Sequence, residues 1–204
     1  MKLRGTAFFI EPQGSLLEVI REKKALLESV LPGQPYVSHP PHCTVFFGRF
    51  GPTEEWLPTL ATALAGVRTF VLRTTAWQEF DRDSMSNGGH TLAFRAESTE
   101  ALGLLQRTVA NTLQPFRQPA GPHPLDNIEP FATSLRRFGS PFVGEHWIPH
   151  FTIGSPRVLR SDPVLALLKS GPVSHSFFLR QLSVWDVDGD SHTKLVTIPL
   201  ENRG

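Results

Sequence analysis

The chain has 204 residues, 40% of them apolar, and a net charge of +1. That length allows one sizeable core or two small lobes, and the near-neutral charge excludes a broad duplex-binding surface, which needs a clear basic excess. The single cysteine, Cys43, excludes an intramolecular disulfide and any multi-cysteine zinc site. No apolar run approaches the roughly 18 residues that span a bilayer. The basic start Met1-Lys2-Leu3-Arg4 leads into Ala7-Phe8-Phe9-Ile10, too short for a signal core, so a cytoplasmic location is expected.

In chain order, residues 4–11 read as a first strand. Ser15, with Glu18 three residues later, predicts a capping box and a helix whose stripe is Leu16, Leu17, Ile20, Ala25, Leu27 and Val30, ending before Pro32-Gly33. A Pro-rich approach, 34–41, delivers the strand beginning Pro41-His42-Cys43-Thr44-Val45-Phe46-Phe47. After Gly51-Pro52-Thr53 comes a second helix with Glu54 and Glu55 in its first turn and an internal Pro58 that predicts an irregularity. A long strand over 67–80 and a polar turn over 81–89 follow.

The pattern then begins again. A strand at 91–96 and a helix at 98–113 precede an irregular, Pro- and Gly-containing stretch, 114–145, that suits a flap before the phrase Pro149-His150-Phe151-Thr152-Ile153. A helix near 161–169 and closing strands at 173–187 and 194–200 complete the chain, joined by the turn Asp188-Gly189-Asp190. Strand, helix, His-x-Thr strand, helix, strand thus occurs twice. The expected fold is α+β: a bilobal duplicated fold with two antiparallel-rich sheets and flanking helices around a central cleft, the lobes being about 1–88 and 89–204 of one domain.

The repeated phrase carries the chemistry. In a strand, residues two apart share a face at roughly 7 Å. His42 and Thr44 therefore point one way, as do His150 and Thr152, while Cys43, Val45, Phe151 and Ile153 point into a core. Cys43 is accordingly expected to be structural rather than nucleophilic. Imidazole gives and takes protons near neutrality, so two of them can divide the work of general base and general acid. Threonine hydroxyls can hydrogen-bond the non-bridging oxygens of a phosphoryl group as its charge grows.

On these residues the chain resembles the 2H phosphoesterase superfamily, which includes the 2'-5' RNA ligase-like proteins and cyclic nucleotide phosphodiesterases. The resemblance implies a bilobal fold and a metal-free phosphodiesterase. Its substrate would be a 2',3'-cyclic nucleotide, an RNA end bearing such a cyclic phosphate, or a 2'-5' linkage. The catalytic set would be His42, Thr44, His150 and Thr152, with no cofactor. A binding module for RNA ends or cyclic nucleotides is the alternative from another class. A monomer is expected, with neither membrane nor duplex DNA as partner. The spacing between the two phrases is somewhat long for the family, which bears on substrate access.

Tyr36, Trp147 and Phe46 or Phe47 are candidates to stack a base, and Arg136, Arg137 and Arg117 to meet a phosphate. His39 and His146 lie near the motif histidines, but Pro149 and the strand pattern argue against a helical metal-ligand pair, so no metal is assigned there.

Overall fold

The computed structural model describes residues 4–83, 86, 88–119 and 121–201. The predicted basic start, apart from Arg4, and positions 84, 85 and 87 of the predicted turn lie outside them. None of the helices is long and apolar enough to cross a membrane, among the described residues.

Among the described residues, eight strands form two antiparallel sheets of four. They are β1 (Arg4–Ile10), β2 (Cys43–Gly48), β3 (Phe70–Asp83), β4 (Gly89–Ala96), β5 (His150–Gly154), β6 (Ser176–Leu179), β7 (Gln181–Asp188) and β8 (Ser191–Pro199). The first sheet runs β2-β1-β7-β8 and the second β5-β4-β3-β6. Each sheet pairs a motif strand at its edge with the opening strand of the same repeat. The next strand in from there belongs to the other half of the chain: β7 in the first sheet, β3 in the second. The two sheets therefore do not follow a division at 88/89. The expected closing strand at 173–187 is in fact two strands, β6 in the second sheet and β7 in the first, with Arg180 between them.

The helices are α1 (Gly14–Val30), α2 (Thr53–Leu64), α3 (Glu100–Leu113), α4 (Phe131–Phe138) and α5 (Pro163–Leu168). In α1 the buried positions are Leu16, Ile20, Lys23, Lys24 and Leu27, while Ala25 and Val30 of the expected stripe are exposed. Two lysines replace those apolar residues on the inner face by burying their stems and tying their amines to Ser170 Oγ and to the carbonyls of Tyr36 and Val37. The expected Ser15 cap does not form. Gln13 stands at the N-cap, and Ser15 Oγ instead hydrogen-bonds His175 Nδ1 at 3.0 Å, a tertiary partner that displaces the local one. Helix α2 continues through Pro58, which lies close enough to the start to remove only one early backbone bond.

The described residues of the stretch 114–145 hold more regular structure than its composition suggests. It contains α4, and it is anchored by Gln106, whose side chain donates to the Phe142 carbonyl at 2.8 Å and accepts from Gly144 N at 2.9 Å. Its other anchor is the end of β2, where Gln118 N donates to Arg49 O.

One core unites both halves: Phe8, Ile10, Cys43, Val45 and Phe46 from the first sheet pack in the same cluster as Phe94, Phe151 and Ile153 from the second. The edge strands β2 and β5 meet over it. Both carry a bulge at the equivalent place. Thr44 pairs with Phe9 but Phe46 with Phe8, leaving Val45 unpaired; Thr152 pairs with Ala93 but Gly154 with Leu92, leaving Ile153 unpaired. A bulge adds one residue and so reverses the alternation beyond it. The two His-x-Thr triplets keep their faces, and whatever follows them changes sides.

Candidate active site

His42 stands immediately before β2 and His150 opens β5. Each ring is held in the same way: His42 Nδ1 lies 2.7 Å from the Pro40 carbonyl and His150 Nδ1 lies 2.7 Å from the Ile148 carbonyl. A carbonyl only accepts, so Nδ1 carries the proton and donates it, which leaves Nε2 of both rings as the proton-exchanging atom. Each imidazole also leans on a phenylalanine. Phe9 stacks on His42 with 3.7 Å between centroids, and Phe80 lies 4.8 Å from His150.

Two bonds lock the motif strands together. Trp147 Nε1 donates to the Thr44 carbonyl at 2.9 Å, and the His150 backbone N–H donates to the thiol of Cys43. Cys43, Val45, Phe151 and Ile153 are all within 1% of full burial in the shared core. The opposite faces of β2 and β5, which carry His42, Thr44, His150 and Thr152 half-buried, therefore form one surface. Burial pushes the Cys43 thiol up to about 12, and its face turns away from the histidines, so it is a core residue.

The surroundings of the two imidazoles differ. Burial pushes His42 down to about 3 against the pull of its hydrogen bond to the Pro40 carbonyl, and repulsion from the basic groups His192, His39 and Lys24 adds to the lowering. Burial also lowers His150, opposed by its hydrogen bond to the Ile148 carbonyl and, unlike at His42, by the negative charge of Asp83. Asp83 in turn accepts hydrogen bonds from the Tyr36 hydroxyl and from Thr91 Oγ1, the latter at 2.5 Å. Burial and Asp83 together raise the Tyr36 hydroxyl far above its ordinary value, so it acts as a donor.

Tyr36 is brought to the site: its ring stands edge-on to His39 with 5.4 Å between centroids, and it adopts a positive φ of 69° in the Pro-rich approach. It also lines a groove of about 710 Å³ with Lys24, Gln34, Ser38 and Arg157. Phe46 is not brought there. It is 2% exposed and packs between Phe8 and Phe50, because the bulge at Val45 turns it into the core, and no base can reach it. Phe47 is the residue the bulge turns outward, where it packs with Phe9 and Trp185.

Trp147 braces the two strands through its indole. Arg136 is spent elsewhere: its guanidinium reaches Glu129 at 2.8 Å on an exposed face of α4. Arg137 lies over Phe138, and Arg117 donates to the carbonyls of Leu135 and Arg136 at the end of α4. His39 pairs with Asp190 at 3.2 Å, and His146 lies 3.6 Å from Glu145.

Residues that sequence reasoning passed over are Phe9, Phe80, Asp83, Arg95 and His192. Arg95 is the cross-strand partner of His150, which puts an exposed guanidinium on the same face as that imidazole. His192 is the second residue of β8, 4.4 Å from His39 and 5.9 Å from His42 between centroids, and its Nδ1 faces the Asp190 carbonyl at 3.1 Å. Only the histidine beside the Asp188-Gly189-Asp190 hairpin signalled it, because a turn can carry its flanking residues to a remote site.

The family model of the 2'-5' RNA ligase superfamily matches residues 12–191. The chain belongs to this superfamily, the 2H phosphoesterases. Among curated proteins compared by sequence, none matches this superfamily member. Its fold is similar to that of TT0787 of Thermus thermophilus, at 14% identity and a TM-score of 0.64, covering 99% of this chain and 100% of that one. It is also similar to E. coli LigT solved with NADP+, at 13% identity and a TM-score of 0.55, covering 99% and 100%. LigT solved with 3'-AMP matches at 13% identity and a TM-score of 0.53, covering 98% and 99%. Membership of the superfamily supports phosphodiesterase-type chemistry in general for this 2H phosphoesterase.

Proposed function

We propose that this protein is a phosphodiesterase that opens a 2',3'-cyclic phosphate, on a nucleotide or at an RNA end, or cleaves a 2'-5' linkage, by paired-histidine acid and base catalysis. The observation that carries this reading is the matched pair of imidazoles, each with Nδ1 satisfied by a carbonyl and Nε2 left for proton exchange. Nucleotide ligands of LigT, including 3'-AMP, support a nucleotide-sized substrate.

The differing surroundings support a division of labour. His42, among positive neighbours, stays neutral and takes the proton from water as its oxygen attacks phosphorus. His150, beside Asp83, is the better placed to hold a proton once the anionic substrate arrives, and it gives that proton to the departing ribose oxygen. One P–O bond forms and one breaks, and the proton lost from water ends on His42 while the alcohol takes one from His150. Thr44 and Thr152 hydrogen-bond the non-bridging oxygens. Arg95, rather than Arg136, is the arginine on the face where it can meet their charge.

Incubation with 2',3'-cyclic mononucleotides and 2'-5' dinucleotides, with products resolved by chromatography, tests the reading. Conversion that disappears in both His42→Ala and His150→Ala supports it. Burial lowers both imidazoles, and rings that resist protonation favour the second reading, a binding module for the same ligands. Saturable binding of every substrate without any conversion would select that reading.

A further inference from the structure

We infer that Glu79, Asp81 and His90 form a site for one divalent transition-metal ion, of the zinc or manganese class, on the face of the second sheet turned away from the histidine–threonine pairs. The register decides the face. Thr91 pairs with Phe80, whose ring touches His150, whereas Leu92 pairs with Glu79 and packs with Leu27, Leu165 and Leu168 beneath α1 and α5. Successive strand residues alternate, so Glu79 and His90 lie on the helix side, and Asp81, at the register shift after Phe80, is placed beside them by its 2.8 Å contact with His90.

One donor atom from each of Glu79, Asp81 and His90 converges there, all within 4.8 Å of one another. Nδ1 is 2.8 Å from Asp81 Oδ1 and 3.6 Å from Glu79 Oε1. A tetrahedral ion with bonds of about 2.0–2.1 Å sets its donors roughly 3.3 Å apart, so small side-chain adjustments complete the set. His90 is only 8% exposed, and Glu79 Oε1 and His90 Nδ1 are buried without a well-formed hydrogen bond, Nδ1 having only the ion-pair contacts to the two carboxylates. Buried polar atoms are ordinarily satisfied, and an ion between them satisfies both at once.

The other oxygen of each carboxylate is already occupied. Lys169 Nζ lies 3.1 Å from Glu79 Oε2, and Arg160 lies 3.7 Å from Asp81 Oδ2. Those cations orient the carboxylates so that Oε1 and Oδ1 face the imidazole, as outer partners of metal-ligating carboxylates do. The Asp81 side chain is 45% exposed, which leaves an open side for entry and for water ligands. An imidazole with a nitrogen lone pair, two carboxylate oxygens and water suit zinc or manganese better than calcium or magnesium. The ion would pin β3 to β4 without touching the chemistry on the other face.

Calorimetric titration of chelator-stripped protein with Zn²⁺ and Mn²⁺, followed by thermal melts, tests the site. One equivalent should bind and raise Tm, and His90→Gln and Asp81→Asn should each weaken binding at least about tenfold. Asp81→Asn alters an exposed ligand, so it keeps the assay informative if His90→Gln does not fold. Absence of saturable binding, or undiminished binding in Asp81→Asn, would overturn the inference. So would binding lost only in His192→Gln, which would assign the ion to the His39–His192 pair. Because binding and melting are read directly, failure here is distinct from failure to turn over a cyclic phosphate.

Discussion

Trp147 reaches across from the segment before β5 and donates its indole hydrogen to the backbone carbonyl of Thr44, 103 residues away, at 2.9 Å. This bond and the contact between His150 N–H and Cys43 hold the two edge strands in one mutual position. Trp147→Phe keeps most of the packing but leaves the carbonyl of Thr44 without its donor. The expected stability loss is about 1–3 kcal/mol in urea unfolding. Turnover should fall more than substrate affinity, because the misplacement concerns reacting groups. Unchanged turnover with unchanged stability would show that the strands do not depend on this bond.

Removing either imidazole should be nearly as damaging as removing both. His42→Ala and His150→Ala are each expected to lower kcat by roughly 10²–10⁴-fold. Thr44→Val and Thr152→Val should lower it by up to about 10²–10³-fold through lost stabilisation of the phosphoryl oxygens. Excess chelator should leave wild-type turnover intact. Single-turnover assays on a 2',3'-cyclic nucleotide decide this, and full activity in either alanine variant would defeat the proposed mechanism.

Stability should fall on acidification in a particular window. His42 ionises near 3 in the folded protein and near the ordinary value of about 6.5 when unfolded. Above that upper value both states are neutral and nothing is lost. As pH drops from about 6.5 towards 3, the unfolded chain takes up a proton that the folded chain refuses, so folding weakens. His150, lowered by burial, acts in the same direction. Urea midpoints between pH 7.5 and 4 should show a shallower decline in His42→Asn than in wild type. Parallel declines would mean that His42 is not held neutral.

His192 contributes to keeping His42 deprotonated through like-charge repulsion. His192→Asn removes that repulsion, so the ionisation of His42 should rise. With His42 as base, the acidic limb of the bell-shaped kcat/KM profile should move to higher pH while the basic limb stays in place. A shift of the basic limb instead would reverse the acid and base assignments.

Much of this was legible beforehand. The two Pro-His-x-Thr phrases, the inward turn of Cys43 and Phe151, and the strand-helix-strand order all appear as expected, because they depend on residue spacing within a few positions. Phe46 shows where that reading stops. Alternation alone would put it on the face of Thr44, yet an unpaired Val45 sends it into the core. The mistaken Ser15 cap has a similar origin: the hydroxyl had a competing partner, His175, 160 residues away.

The order of residues by itself determined which groups carry the chemistry and which face of each short strand presents them, since side-chain direction in a strand has a period of two and acts locally. Tertiary pairing decided the rest. It exchanged β3 and β7 between the sheets, placed the bulges, and brought Asp83 to His150 and His192 to His42. Those outcomes depend on which distant backbone groups find one another. No local pattern encodes them, because the bonds that fix them form between segments with no nearby sequence in common.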